Sequence, residues 1–386
     1  MATTPAPRRS TEADYRDFQH TGPGTLAGRY LRRFWHPVYV AEKLPPGHAK
    51  PIRIMSEDFT LYRGESGTPH IVAFRCAHRG TQLSTGWVEG DCIRCFYHGW
   101  KYDQTGQCVE MPAEDPSFPP KVRIRSCPTV EYLGLIFGYF GEGEPPPFPR
   151  YPEFEGEGVL EVGHYIRLCN YWNQLESNMD ELHVSFVHRD SAFTDYGLAD
   201  LPEVSGEESE WGITKYGKRP SGVVRVSQFG MPNILHIMGS PEDAASGWTD
   251  HIAWRVPIDD ESHQSFQLAL THVTGEAAER LRARQAQRRA RLAELTPSHE
   301  VAQAVLRGEL RVHDLRDRPD SVNIQDHVAQ MGQGTIVDHT HERLGRSDVL
   351  VILLRRIWER ELRALAEGRP LKEWKRTERL VATSGV

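Results

Sequence analysis

The chain has 386 residues, 39% hydrophobic and 26% charged, with a net charge of −7 from 46 basic and 53 acidic side chains. An acidic balance of that size excludes a general nucleic-acid-binding protein, and the aromatic content excludes a disordered one. The longest apolar stretch, Tyr132 to Phe140, has nine residues, about half of what a membrane-spanning helix needs.

Residues 1–25 are polar and read as extended or loosely attached. The two arginines near the start have no apolar run behind them, so no secretory signal is expected and the cytoplasm is the default location. From Tyr39 to about Phe140, short β-rich runs (PIRIM, FTLYRG, HIVAFRC, CIRCFYHGWKYD, GLIFGYF) alternate with glycine-containing turns, which predicts a small antiparallel β domain. A segment with four prolines among residues 145–150 then marks a domain boundary, since proline suits neither helix interiors nor central strands. The expected organisation is an N-terminal segment over 1–30, a β domain over 31–145 and a mixed domain over 146–386, an α+β protein throughout. In the second part, 173–188 reads as a helix, and 222–238, 251–257 and 264–273 read as strands. Two charged, apolar-striped helices follow, over 276–295 and 348–367. The arginines of the first read as a solvated face rather than a nucleic-acid surface.

Chemistry concentrates in two places. Cys76-Ala-His78 and Cys95-Phe-Tyr-His98 are separated by sixteen residues, so two loops of one β domain each offer a thiol and an imidazole. A Rieske [2Fe–2S] cluster takes two Cys on one iron and two His on the other. Glycines after both histidines let backbone approach such a cluster. A structural Cys₂His₂ zinc site has equally plausible ligand chemistry, but zinc fingers run Cys-Cys then His-His. Reading Cys92 and Cys95 as a redox pair leaves Cys76, His78 and His98 unexplained. Cys92, Cys108, Cys127 and Cys169 read as ordinary small side chains.

The second place is Asp180-Glu-Leu-His183-Val-Ser-Phe-Val-His188. Two histidines five positions apart point about 140° from each other on an ideal helix, so they share a metal only if the helix is bent or bulged. Alone the pair is weak. A one-electron cluster, however, requires a second site that uses the electrons. Two His and a carboxylate form the facial triad of non-haem Fe(II) oxygenases.

With both motifs in view, the chain resembles the terminal oxygenase (α) subunits of Rieske non-haem iron ring-hydroxylating oxygenases. It is most similar to the phthalate dioxygenase-like branch, which includes O-demethylating monooxygenases. The resemblance runs from Gly22 to about Arg356. It implies that Cys76, His78, Cys95 and His98 hold the cluster and that His183 and His188 bind iron. It also implies that Asp180 bridges a Rieske histidine of a neighbouring subunit to an iron-ligand histidine. The third iron ligand is expected among Asp314, Asp317, Asp320, Asp326 and Asp338. The family's Glu/Gln-Asp pair opening a helix resembles Gln325-Asp326 and selects Asp326. His327, His339 and His341 are left as structural or pocket-lining.

The resulting expectation is O2-dependent hydroxylation or O-demethylation of an aromatic substrate, with aromatic carboxylates favoured by the branch. A carboxylate-holding Arg or Lys is expected, with no choice possible among the arginines of 210–275. No Gly-x-Gly-x-x-Gly loop is present, so an NAD(P)H-dependent flavin or iron–sulfur reductase is expected on a separate polypeptide. A cyclic homotrimer, single or stacked, is expected from the implied junction at Asp180. The alternatives are a non-catalytic Rieske electron carrier and, behind it, a zinc-stabilised structural protein.

Overall fold

The computed structural model describes residues 14–189, 198–239, 247 and 249–376. After a short helix α1 (Leu26–Leu31) come β1 (Trp35–Val40), β2 (Ala49–Ile54), β3 (Glu57–Arg63) and β4 (Pro69–Ala73). The small strands β5 (Trp87–Glu89), β6 (Cys92–Arg94), β7 (Lys101–Tyr102) and β8 (Cys108–Glu110) follow, then β9 (Ser126–Cys127), β10 (Thr129–Tyr132) and β11 (Leu135–Tyr139). They form three antiparallel sheets, ordered β2-β3-β4-β9, β5-β6-β7-β8 and β1-β11-β10. The expected β-rich runs are therefore strands, or parts of strands, in this region.

The proline-rich segment after β11 is packed down as well as breaking regular structure. Trp35 Nε1 donates to the Pro146 carbonyl at 2.9 Å, and the Phe148 ring meets Trp35, Tyr132 and Phe137 edge-on.

The rest of the chain begins with β12 (Val159–Arg167), followed by α2 (Tyr171–Met179) and α3 (His183–Val187). Next are β13 (Glu203–Glu208), β14 (Gly212–Lys218), β15 (Val224–Gly230), β16 (Ile234–Gly239), β17 (Thr249–Pro257) and β18 (His263–Thr271). Seven described strands make one antiparallel sheet, ordered β12-β18-β17-β16-β15-β14-β13. The helices α4 (Gly275–Ala293), α5 (Ser298–Leu306), α6 (Ser321–Met331) and α7 (Val349–Ala366) complete the described chain.

Two expected elements differ. The span 173–188 is two helices, because Asp180 adopts an extended backbone (φ −81°, ψ 112°) and ends α2. The span 222–238 is the hairpin β15–β16, turned at Met231-Pro232-Asn233, where proline cannot donate to a ladder. The N-terminal segment is also less loose than its polarity implies. Phe18 is buried and stacks on Trp172 at 4.5 Å, and the buried Thr21 donates its N–H to Asp260 at 2.8 Å.

Strand alternation gives the large sheet two distinct faces. Ile252, Trp254 and Val256 of β17, with Phe266, Leu268 and Leu270 of β18, are buried on one face, where Trp254 meets Phe137 of β11. These residues and the apolar stripe of α7 (Leu350, Leu354, Ile357, Trp358) belong to one core. The opposite face is polar. Tyr165 and Arg167 of β12 and Lys215 of β14 project there and bond to α2 and α6.

Candidate metal centres

The four residues of the first motif lie on twin loops. Cys76–Gly80 and Cys95–Gly99 each close with a glycine N–H donating to the cysteine carbonyl, at 3.0 and 3.1 Å. Gly80 and Gly99 take left-handed backbone (φ +76° and +73°), where glycine is favoured. Cys76 and Cys95 are 3% and 2% exposed, and neither forms a disulfide. The His78 and His98 rings lie 4.5 Å apart, and Trp100 stacks flat on His78 at 4.6 Å. Burial pushes the Cys95 thiol up. Tyr102 Oη lies 3.2 Å from Cys76 Sγ and accepts the Ala77 N–H at 3.2 Å. His78 Nδ1 is buried without a hydrogen-bond partner among the described residues. Two buried thiols, two adjacent imidazoles and an orphaned ring nitrogen fit the donor set of a [2Fe–2S] cluster with mixed ligation. Trp87, Phe96 and Tyr97 surround this tip, each more than half exposed.

Cys92 sits half-buried on β6, and Cys108, Cys127 and Cys169 are buried and free.

The second motif is shaped by the break between α2 and α3. Asp180 Oδ1 accepts the N–H groups of Leu182 and His183, at 2.7 and 3.3 Å, an Asx turn that starts α3 afresh. The short α3 ends at Val187, so His188 lies just past it in a non-helical conformation (φ −105°, ψ 16°). Resetting the helix before His183 and ending it before His188 brings the two rings to 5.4 Å. His183 Nδ1 donates to the Asp180 carbonyl at 2.6 Å, and His188 Nδ1 donates to Gln325 Oε1 at 2.8 Å. Both bonds occupy Nδ1, so that Nε2 is the nitrogen a metal would meet, which is how a backing acceptor fixes a metal-binding tautomer. His188 Nε2 lies 3.2 Å from Asp326 Oδ1. The ligand atoms of His183, His188 and Asp326 all lie within 4.8 Å of one another.

The electrostatics suit a divalent metal. Burial pushes the Asp326 carboxyl up, but the His188 N–H and the Arg167 charge outweigh it and hold the group well below the usual carboxylate range. Burial pushes the His183 imidazole down, keeping it neutral. Burial acts the same way on His188, but Asp326 outweighs it and raises that imidazole. The proton held between His188 and Asp326 is the one a metal would displace.

Of the other expected carboxylates, Asp317 is exposed and three are engaged elsewhere. Asp314 pairs with Arg311 at 2.8 Å, Asp320 with Arg318 at 2.9 Å, and Asp338 accepts the Thr340 N–H at 3.0 Å. The Gln325-Asp326 pair lies in the middle of α6 rather than at its start. His327 is a structural residue, bridging the carbonyls of Asn323 and Ile166. His339 and Glu342 form an ion-pair network with Arg355 and Glu176, and His341 is exposed. Sequence reasoning missed Gln325 as the orienter of His188. The adjacent Gln-Asp pair was the available signal.

Comparisons with known proteins agree with this geometry. The family model of the Rieske [2Fe-2S] domain matches residues 34–129. The chain is 31% identical over 366 residues to the 5,5'-dehydrodivanillate O-demethylase oxygenase subunit of Sphingobium sp. (strain NBRC 103272 / SYK-6), covering 90% of this chain and 79% of that one. It is 30% identical over 374 residues to phenoxybenzoate dioxygenase subunit alpha of Ectopseudomonas oleovorans, covering 89% and 84%. Its fold is similar to the terminal oxygenase of carbazole 1,9a-dioxygenase from Novosphingobium sp. KA1, with a TM-score of 0.67, 21% identity, and 90% and 97% of the two chains covered.

Proposed function

The chain belongs to the Rieske non-haem iron oxygenases, and from that premise we propose that it is the terminal oxygenase of a multicomponent system that hydroxylates or O-demethylates an aromatic substrate. Relatives named as oxygenase subunits, matched over most of their length, weigh against a non-catalytic electron carrier. The observation that carries the reading is the convergence of His183, His188 and Asp326 in a chain that also carries the Cys76/His78 and Cys95/His98 loops.

In this reading Cys76, Cys95, His78 and His98 hold the cluster, and His183, His188 and Asp326 hold the mononuclear iron. When bound, the cluster supplies single electrons and the iron(II) supplies dioxygen activation beside the substrate. The protein's own part is orientation. The Asp180 carbonyl and Gln325 Oε1 fix both imidazoles, and Arg167 helps to keep Asp326 ionised. Domain limits of 31–145 and 146–386, after a 1–30 segment, enclose one centre each.

We further assign Asp180 as the bridge between centres of neighbouring subunits in a closed homotrimer. Its Oδ1 is used within the Asx turn, while the side chain as a whole is about one-third exposed, at 34%. The exposed Trp87, Phe96 and Tyr97 around the cluster loops supply an apolar rim for such a junction. Electrons come from a separate reductase. Among the described residues no helix is long and apolar enough to cross a membrane, and the described cysteines are free, which supports placement in the cytoplasm.

The test is elemental and spectroscopic. Purified protein should be red-brown, with about three irons per chain and a Rieske resonance on reduction. It should turn over methoxybenzoates or phenoxybenzoates with a surrogate reductase. A zinc-only, colourless protein would refute the reading.

A further inference from the structure

Two arginines on the polar face of the large sheet, Arg167 of β12 and Arg255 of β17, are buried, and each donates only to neutral groups. The Arg167 fork donates from Nη2 to Asn323 Oδ1 at 2.9 Å and from Nη1 to Gln330 Oε1. Arg255 Nη1 donates to Tyr165 Oη at 3.3 Å and to Ser265 Oγ. The Nε atom of each arginine is buried and makes no hydrogen bond among the described residues. The other buried cations of this face have carboxylates of their own. Lys215, Arg219 and Arg225 meet Glu181 at 3.1, 4.0 and 3.5 Å, and the charges of Asp180 and Asp200 act on Lys215 and Arg219 respectively.

The carboxylate that Arg167 and Arg255 act on is Asp326. Asn323, Asp326 and Gln330 recur at i, i+3 and i+7 on α6, so they share one face of that helix. The Arg167 fork therefore spans α6 from one turn before Asp326 to one turn after it, and its charge acts on the Asp326 carboxyl. The Asp326 charge acts on Arg255 in the same way. Burial pushes the Tyr165 phenol up, but Arg255 and Arg167 outweigh it, so their field reaches the neutral groups around them as well. A buried cation is costly. Gripping two amides on one helix face does not require a charge, whereas acting on a carboxylate that binds metal does.

We propose that Arg167, with Arg255 behind it, is a positioning residue that acts through Asp326 to hold the mononuclear iron in its ferrous state. Oxidation takes one electron from iron(II), passes it to an acceptor such as dioxygen, and leaves one more positive charge at the site. A fixed cation beside the ligand carboxylate opposes that added charge and so favours iron(II) over iron(III). Iron(II) is the state that non-haem oxygenases of this ligand set use. The fork adds geometry to charge, because it fixes the turns of α6 on either side of Asp326. The proposal rests on the reading of the chain as a Rieske non-haem iron oxygenase.

The experiment is a redox titration of purified protein whose cluster and mononuclear iron have been verified. It is read by the high-spin ferric resonance of the iron, with the Rieske resonance of the cluster as an internal reference. At a poise where the wild type shows both iron states, Arg167→Gln should raise the ferric-to-ferrous ratio at least about tenfold. That is the effect of a unit charge within roughly 12 Å at an effective dielectric of about 20. Arg167→Lys keeps the charge and should restore most of the wild-type ratio, and neither variant should move the cluster. Arg255→Gln leaves the grip on α6 intact and should raise the ratio in the same direction, so it carries the test alone if Arg167→Gln does not fold or bind iron. An unchanged ratio in either glutamine variant overturns the proposal. So does an equal rise in Arg167→Gln and Arg167→Lys, which would mean that the fork acts by shape and not by charge. Wild-type protein without cluster or mononuclear iron would instead sink the oxygenase reading itself, so the two failures are told apart before any variant is titrated.

Discussion

At the scale of single residues, the site depends on which atom of each side chain is spoken for. Asp326 is the carboxylate that faces both histidines, so Asp326→Ala should lose the mononuclear iron while the Rieske spectrum survives. Metal analysis alongside electron paramagnetic resonance separates the two. Full iron and activity in that variant would move the ligand to another carboxylate. Gln325→Leu removes only the acceptor behind His188 Nδ1, at 2.8 Å. Loss of such an outer partner weakens metal binding by about ten- to a hundredfold, so this variant should need more added iron for the same occupancy. Asp180→Asn is more selective. Asparagine keeps an oxygen for the Leu182 and His183 N–H groups and leaves the backbone carbonyl on His183 untouched. Both metal centres should remain and turnover should nearly vanish, because only the charge linking the centres is gone. Loss of iron with turnover per remaining iron preserved would assign Asp180 to iron binding instead.

At the scale of elements, the break between α2 and α3 is held open by the charge cluster beneath it. Glu181 packs under the turn, against β14 and β15, at a spot where Gly217 leaves room. A Cβ on Gly217 would stand 3.2 Å from Glu181 Oε2 and 3.3 Å from Arg219 Nη1. Burial pushes the Glu181 carboxyl up, but Lys215, Arg225 and Arg219 outweigh it and bring its pKa from 4.5 down to about 2. A carboxylate whose pKa is depressed by folding stabilises the fold above its unfolded value and stops doing so as pH falls through its folded value. Removing one partner from a buried charge cluster costs about 3 to 5 kcal/mol. Glu181→Gln should therefore lower the melting temperature markedly at neutral pH. The gap to wild type should narrow as pH falls from 4.5 toward about 2. A gap independent of pH would show that Glu181 acts by shape and not by charge.

At the scale of the whole molecule, the two centres sit in different parts of the chain, and a working unit built across subunits predicts complementation. His183→Ala lacks the mononuclear iron ligand and His78→Ala lacks a cluster ligand, and each homo-oligomer should be inactive. Mixed oligomers place some intact clusters beside intact iron sites of a neighbour, so co-assembly should restore part of the activity. Mixed oligomers that form and stay inactive would mean that electrons pass within one chain. A head-to-tail interface repeated around a closed ring provides such a junction in every subunit.

The sequence by itself determined the chemistry. Ligand types and their spacing at Cys76, His78, Cys95 and His98 are local, because each loop is one short turn whose geometry follows from its own residues. The strands were legible for the same reason, since alternation is a local pattern. The pairing of His183 with His188 was not. Helical periodicity places them about 140° apart, and only an Asx turn at Asp180 and the early end of α3 bring them to 5.4 Å. The role of Gln325 and the meeting of Glu181 with Lys215, Arg219 and Arg225 also belonged to tertiary structure, whereas the family's Gln-Asp pair had already selected Asp326 from the carboxylates of 314–338. Each depends on contact between residues roughly forty or more than a hundred positions apart in the chain, such as His188 with Gln325 and Glu181 with Arg225. Side-chain type is written in the sequence. Which buried charges face one another is decided only when sheet and helices close together, because burial and proximity set the energy of a charge far more than its identity does.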